Sequence, residues 1–418
     1  MTVGGLAVGL KSTPTRRGKR LSPMVYLIIA VGALVVVSAV RTLSDATDLT
    51  SSGTVQAALT AAVPLAMASL AGLWAERAGV VNIGLEGMMV LGTFGAGYAG
   101  YQWGPWAGIV GGLLFGVIGG LLHAVATVTF GVDHIISGVA INLLAPGAAL
   151  FLSKQFFSNA PGGGQKQSPR IEDAQKVTLP GFSSWLGTIE NKHWFFVSDL
   201  AGVLRGITTE ISLLTLLAVV LIAATGWVLW RTPFGLRLRS CGESPAAAES
   251  LGVNVYKYKY YAVIASGGFA GLGGAMLAVS SGQFRDGQTG GRGFIGLAAM
   301  IFGNWRPGGL ATGAGLFGYT DAMALRGSNA VHALLLLLGI ALIVVAVLQY
   351  RSGQIVLSGV AAAIGVLFGW WYFSSDQVPA ELVGAAPYVV TLLVLGLASQ
   401  RLRPPRFVGE PYRRGQAI

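Results

Sequence analysis

Uncharged apolar runs of about twenty residues recur along this chain, and each is long enough to cross the roughly 30 Å hydrocarbon layer as one helix. Such runs leave few folds open. In lipid the backbone must satisfy its own hydrogen bonds, which narrows the choice to a helical bundle or a closed barrel. The runs are continuous rather than alternating, and that selects helices. Composition agrees: 53% hydrophobic residues, 11% charged residues, 62 glycines and a mean hydropathy of +0.65 exclude an ordinary soluble domain. The expected fold class is all-α, a polytopic membrane helical bundle of about 10 to 12 segments with some helices broken or re-entrant.

The candidate segments of the first half are 24–40, 55–74, 83–101, 106–130, 135–153 and 211–230. Those of the second half are 260–280, 294–302, 309–325, 333–349, 355–373 and 385–399. Segment 294–302 spans roughly 14 Å as a helix and NWRPGG follows it, so it cannot cross alone. An earlier disruption, carrying Glu76, Arg77, Gly79, Asn82, Gly84, Glu86 and Gly87, separates Trp74 from Met88. Irregular backbone is tolerated at membrane depth where it lines a cavity or is buried by protein. Two interrupted helices, one per half, therefore point to a translocation path; a short turn plus a kinked helix is the plainer alternative. Gly108, Gly112, Gly116 and Gly120 recur every four residues, with similar spacing at Gly267, Gly271 and Gly274 and at Gly313 and Gly318. Such seams let helix backbones approach closely.

Arg16, Arg17, Lys19 and Arg20 precede the first run, which is long and lacks a small-residue cleavage site, so it reads as an uncleaved span. Alternating sides from there makes residues 1–23 and 401–418 cytoplasmic tails, the latter with Arg401, Arg403, Arg406, Arg413 and Arg414. The membrane domain is 24–400, with an external loop at 154–210 and an added span pair at 333–373. Nearly all of the +11 net charge then falls inside, as retention of Lys and Arg requires, and no nucleic-acid partner is needed to explain it. The external loop, polar around PGGGQKQSPR, reads as a solvated insertion. The single cysteine, Cys241, excludes an intrachain disulfide and a cysteine metal cluster.

Residues 231–259, RTPFGLRLRSCGESPAAAESLGVNVYKYK, interrupt the apolar pattern. Ser244 suits an N-cap, Pro245 the first helical position, Ala246, Ala247 and Ala248 propagation, and Gly252 the stop. Arg231, Arg237, Arg239, Lys257 and Lys259 flank it. A short cytoplasmic docking helix is expected.

Charge within the spans is scarce. Glu76, Glu86 and Asp321 are the carboxylates in or beside them, with Arg77 as their basic neighbour. Nucleotide and hydrolase signatures are missing: there is no P-loop, GGRGF lacks its strand and helix setting, and no G-x-S-x-G occurs. His123, His134, His193 and His332 lack metal-ligand spacing. Any energy this chain's function uses must therefore come from elsewhere. An ion-coupled secondary transporter would carry ionisable relays within its spans, and a lipid-modifying enzyme would cluster catalytic groups at one interface; neither pattern is evident.

Four stretches carry a family resemblance: ERAGVVNIGLEGMMVLGTFGA (76–96), HIISGVAINLLA (134–145), GESPAAAESLGVNVYKYKYYAVIASGGFAGLGGA (242–275) and GRGFIGLAAMIFGNWRPGG (291–309). With PYVVTLLVLGLAS (387–399) and the final GEPYRRG, the chain resembles permease subunits of bacterial ABC importers, nearest the nucleoside branch of the ribose and branched-chain amino acid permease group.

The resemblance implies a type II importer half in the bacterial plasma membrane, a pore for a purine nucleoside or a related simple sugar. It implies a cytoplasmic ABC ATPase that carries ATP and Mg, a second and non-identical permease subunit, and an external substrate-binding lipoprotein. The coupling helix corresponds to Glu243, Ser244, Pro245, Ala246, Ala247, Glu249 and Gly252. By motif match Asn82, Glu86, Asn142 and Asn304 supply polar lining to the substrate pathway, while Phe294 and Phe302 supply apolar or stacking surface. The chain itself has no catalytic residue, metal or cofactor in this reading. The external loop and the added span pair depart from the family pattern.

Overall fold

The computed structural model describes residues 23–398 and 402–415; the N-terminal basic cluster and Arg401 lie outside the described residues. The first half comprises α1 (Pro23–Ser44), α2 (Ser52–Arg77), α3 (Leu85–Trp103), α4 (Pro105–Ala124) and α5 (His134–Phe157). The polar insertion contains α6 (Phe182–Glu190) and α7 (Val197–Gly206), after which α8 (Leu213–Arg231) leads to α9 (Pro233–Glu243) and α10 (Pro245–Ser250). The second half holds α11 (Val255–Ser280), α12 (Arg292–Phe302), α13 (Pro307–Leu325), α14 (Ser328–Arg351), α15 (Ile355–Ser374), α16 (Ala380–Val383) and α17 (Ala386–Ala398). Among the described residues seven helices are long and apolar enough to cross a membrane: α2, α4 with its continuation to Thr129, α5, α8, α11, α14 and α15. The fold is all-α and polytopic, and the larger expected number of segments is met only in part. Helices α3 and α13, 19 residues each, are diluted by glycine.

The glycine seams predicted on separate segments meet one another at the centre of the bundle. A Cβ placed on Gly116 would fall 2.3 Å from the Gly267 carbonyl oxygen, and one on Gly271 would fall 2.3 Å from that of Gly112. On the third side, a Cβ on Gly274 would lie 2.1 Å from the Met89 carbonyl. Helices α3, α4 and α11 thus touch backbone to backbone. Lipid offers no hydrophobic drive for helix association, so this close dispersion contact is what holds them. Gly318 does the same between α13 and α2, where its Cβ would meet the Ala58 carbonyl at 2.6 Å.

The insertion at 154–210 is a folded cap rather than the solvated loop its composition indicated. Asp199, buried on α7, accepts from the Thr50 hydroxyl and pairs with Arg41 at 2.8 Å. Glu190 accepts from the Ser52 amide at 2.8 Å and pairs with Arg205 at 2.9 Å. Backbone bonds from Ser168 to Phe284 and from Ile171 to Gly282 tie its other end to the α11–α12 connection. Helix α2 runs from this cap to α9, roughly 39 Å for its 26 residues, so the cap and α9 occupy opposite ends of the bundle. Helices α14 and α15, expected as an added pair, pack against each other through Gly339 and Gly365.

Candidate functional site

After α2 the chain turns at Gly79, whose φ of 83° suits glycine, and residues 80–84 climb back into the bundle without helical hydrogen bonds of their own. Unpaired amides there would be costly, and side chains from two other helices satisfy them. The Val81 amide donates to His134 Nδ1 at 3.3 Å, and His123 Nε2 donates to the Val81 carbonyl at 3.0 Å. Asn142 donates to the Ile83 carbonyl at 3.0 Å and accepts from the Gly87 amide at 2.8 Å. Asn82 is fully buried and donates to Ser266 at 2.9 Å, while its Oδ1 faces no donor among the described residues. The histidines, set aside for lack of metal spacing, are backbone caps. Their signal was present only as polar residues on otherwise apolar helices.

Glu86 lies at the top of this stretch and holds the start of the short helix α12. Its two carboxylate oxygens accept from the amides of Gly291 at 2.9 Å and Gly293 at 2.6 Å. A carboxylate against a helix N-terminus is favoured both as acceptor and by the helix dipole. Gly293 is obligatory here, since a Cβ would sit 2.6 Å from the Glu86 Cα. Arg292 turns away to pair with Asp321 at 2.9 Å, so Arg77 is not the only basic neighbour of the intramembrane carboxylates. These two residues, with Leu65, Ile295, Phe317 and Tyr388, line a cavity of about 110 Å³ between α2, α12, α13 and α17.

Helix α12 runs parallel to α2, with Ser69 donating to the Gly296 carbonyl at 2.8 Å, and ends in a tight break before α13. Asn304 and Trp305 both adopt left-handed backbone, with φ of 54° and 53°. Such conformations cost on the order of 1–3 kcal/mol each and persist only where neighbours impose them. The neighbours are visible. The Trp305 indole donates to Glu76 at 2.5 Å, and its carbonyl accepts from Arg77 at 3.1 and 2.6 Å. Glu76 and Arg77 therefore grip Trp305 instead of each other. Arg77 also reaches Glu243 at 3.7 Å and, with Arg239, flanks the Trp230 ring at 5.4 and 5.5 Å.

The structure accordingly divides the six expected pathway residues. Asn82, Glu86 and Asn142 gather around residues 80–87, and Phe294 sits beside them, 47% exposed. Phe302 and Asn304 lie at the far end of α12, about 16 Å away along its axis. There the Asn304 side chain accepts from the Arg403 amide at 2.8 Å.

At that same end α9 and α10 form a helix pair where a single short helix was expected. Thr232 caps α9 by accepting from the Gly235 amide at 3.2 Å, with Pro233 at the first position. The Thr-Pro signal was legible, but the surrounding charge masked it. Helix α10 starts at Pro245 and Gly252 stops it with φ of 80°, as read; Ser244, however, makes no side-chain cap and holds α10 through its carbonyl, which accepts from Ala248 at 3.0 Å. Ala248 is buried against Cys241 and Val255, leaving Ala246, Ala247, Ser250 and Leu251 exposed. Burial pushes the Cys241 thiol up to about 11. Among the described residues no group of three or more His, Cys, Asp or Glu is placed to hold a metal ion.

Against known proteins, the profile described as branched-chain amino acid transport system / permease component matches residues 54–347. The chain belongs to that family. This permease is 38% identical over 283 residues to the guanosine ABC transporter permease protein NupQ of Bacillus subtilis, covering 66% of its own length and 82% of the relative. It is 34% identical over 358 residues to the nucleoside ABC transporter permease protein NupC of Lactococcus lactis subsp. cremoris, covering 84% of its own length and 93% of the relative. A putative glucose ABC transporter permease protein, TsgC13 of Haloferax volcanii, is 34% identical over 67% of this chain and 79% of the relative. No solved structure matches. As a permease component of the membrane, the chain is a transport subunit and not itself an enzyme.

Proposed function

We propose that this permease is the pore-forming subunit of an ABC importer for nucleosides, with purine nucleosides as the preferred class. The observation that carries this reading is the 34% identity to a nucleoside permease across 93% of that relative's length. An ATPase and a substrate-binding protein are the partners such permeases use in general. The finer assignments follow the geometry. Glu243, Ser244, Pro245, Ala246, Ala247, Glu249 and Gly252 build the α9–α10 corner, whose exposed Glu243, Ala246, Ala247 and Gly252 meet a cytoplasmic ABC ATPase, which carries ATP and Mg. Small alanines on that face allow close seating. The folded cap at the opposite end receives an external substrate-binding lipoprotein, and a second, non-identical permease subunit completes the pore. Both tails face the cytoplasm of a bacterial cell, with 1–23 and 401–418 flanking the membrane domain.

The pathway runs past the two interrupted helices. Asn82, Glu86 and Asn142 support the 80–87 stretch that forms its wall, Phe294 presents a ring toward it, and Phe302 and Asn304 stand at its inner end. An ion-coupled carrier is less well supported, because Glu76, Glu86 and Asp321 are each committed to a different structural partner rather than aligned as a relay.

Uptake of radiolabelled guanosine and adenosine in cells expressing this permease with its partner subunits, with uridine and glucose as competitors, tests the substrate class. Saturable purine nucleoside uptake that glucose does not compete is expected; glucose uptake without nucleoside uptake would overturn the assignment. Orientation is best read with Leu251→Cys in a Cys241→Ala background, since Leu251 is 85% exposed whereas Cys241 is buried. Labelling of position 251 by an impermeant reagent added outside intact cells would reverse the proposed topology.

A further inference from the structure

The last described stretch, residues 402–415, is bound along the end of the bundle that carries α9 and α10. Three backbone contacts lay it down: the Arg403 amide donates to Asn304 Oδ1 at 2.8 Å, the Phe407 amide to the Gly242 carbonyl at 2.9 Å, and the Gly409 amide to the Gly79 carbonyl at 3.3 Å. Its end then closes on α10. Tyr412 donates its hydroxyl to the Glu249 carboxylate, and Arg414 Nε donates to the other oxygen at 2.9 Å. The Tyr412 ring packs against Tyr256 at 5.3 Å and joins the cluster of Cys241, Ala248 and Val255 beneath α10.

Helix α10 has six residues and no side-chain cap, too little to hold a position by itself. The side chain of its acidic residue, Glu249, is held by Tyr412 and Arg414 of the tail segment that crosses it, while Arg413 and Arg414 of the tail and Ala246 and Ala247 of the helix remain exposed.

We propose that residues 402–415 are a strap that fixes α10 and shares its docking surface, so that the partner ATPase grips helix and strap together through a carboxylate-lined groove that meets Arg413 and Arg414. This rests on the reading of α10 as the coupling helix. Because the same strap also holds Asn304, it links the docking surface to the break that ends α12, and a push on α10 is delivered to that break along two routes: through the strap, and through Glu243, Arg77 and Trp305.

The test uses the full importer purified from membranes, with the retained ATPase and nucleoside uptake both measured. A chain ending after Arg403, Tyr412→Phe, and Glu249→Arg are each compared with the parent. Loss of ATPase retention by tenfold or more is expected for the truncation and for Glu249→Arg, and a several-fold loss for Tyr412→Phe, with normal membrane insertion. Combining Glu249→Arg with Arg414→Glu is expected to restore protease protection of residues 402–415, which a merely unfolded tail would not allow. Unchanged retention and uptake in the truncation and in Glu249→Arg overturn the strap. Ala247→Trp separates the two readings: if it abolishes retention while the strap variants are silent, only the strap fails; if it too is silent, docking at α10 fails.

Discussion

Replacing Glu86 distinguishes a residue that builds the pathway wall from one that touches the substrate. In Glu86→Ala the Gly293 amide, which is buried, loses its acceptor, and the half-buried Gly291 amide loses the other. An orphaned buried donor costs about 1–3 kcal/mol, and the partly exposed one costs toward the lower end of that range. Removing a carboxylate from the α12 N-terminus adds about 0.3–1 kcal/mol through the dipole. Together about 2–5 kcal/mol should be lost from the docking of the α12 start. At about 1.4 kcal/mol per tenfold, local opening becomes roughly 30-fold to a few thousand-fold more frequent. Hydrogen exchange in detergent, read on peptides covering residues 288–298, should accelerate by that factor, with uptake falling in step. Glu86→Gln keeps one acceptor and should lie between. Exchange at residues 288–298 that stays at the parent rate in Glu86→Ala, with only the KM for uptake raised, would refute the capping role and return Glu86 to substrate contact.

Three further expectations follow from the packing and electrostatics. Gly267→Ala places a methyl 2.4 Å from the Gly116 carbonyl and 2.6 Å from the Gly120 Cα, both backbone, and should destabilise the protein by about 1–3 kcal/mol, whereas Gly147→Ala, with nothing within 4 Å, should be silent in the same detergent melting assay. Trp305→Phe leaves the buried Glu76 carboxylate without its indole donor, at a cost of about 1.5–3 kcal/mol; making Glu76→Met as well should recover much of the loss, and strictly additive melting shifts would count against the pairing. Between Tyr412 and Glu249, the hydrogen bond from Tyr412 lowers the Glu249 carboxyl, and burial followed by Glu249 raises the Tyr412 hydroxyl. The depressed acid contributes above its unfolded value near 4.3 and loses that contribution as pH falls through its folded value. The raised phenol contributes below its unfolded value near 10 and loses it only as pH climbs through its folded value. Protease protection of the tail should therefore be flat from about pH 5 to 9 and fall below about pH 4; a decline centred near pH 7 would contradict this.

Local pattern in the sequence is enough to establish a lipid-embedded all-α chain, the glycine seams, the shortness of the segment ending at Phe302, and the stop of α10 at Gly252. Each of these depends on neighbours within one or two helical turns, or on the length of an apolar run against the thickness of a bilayer. For the residues singled out for the site, the partners were decided by distant parts of the chain. Glu86 meets the start of α12 from 205 positions away, and Glu76 meets Trp305 from 229. The same holds for His123 and His134, which look like stray polar residues until residues 80–84 are seen to need partners. It holds as well for Asp199 and Glu190, which turn a polar insertion into a folded cap, and for Tyr412 and Arg414, which no hydropathy pattern connects to Glu249. A buried polar group must find a partner wherever the fold brings one within about 3 Å, and that choice is made by tertiary packing, not by spacing along the chain.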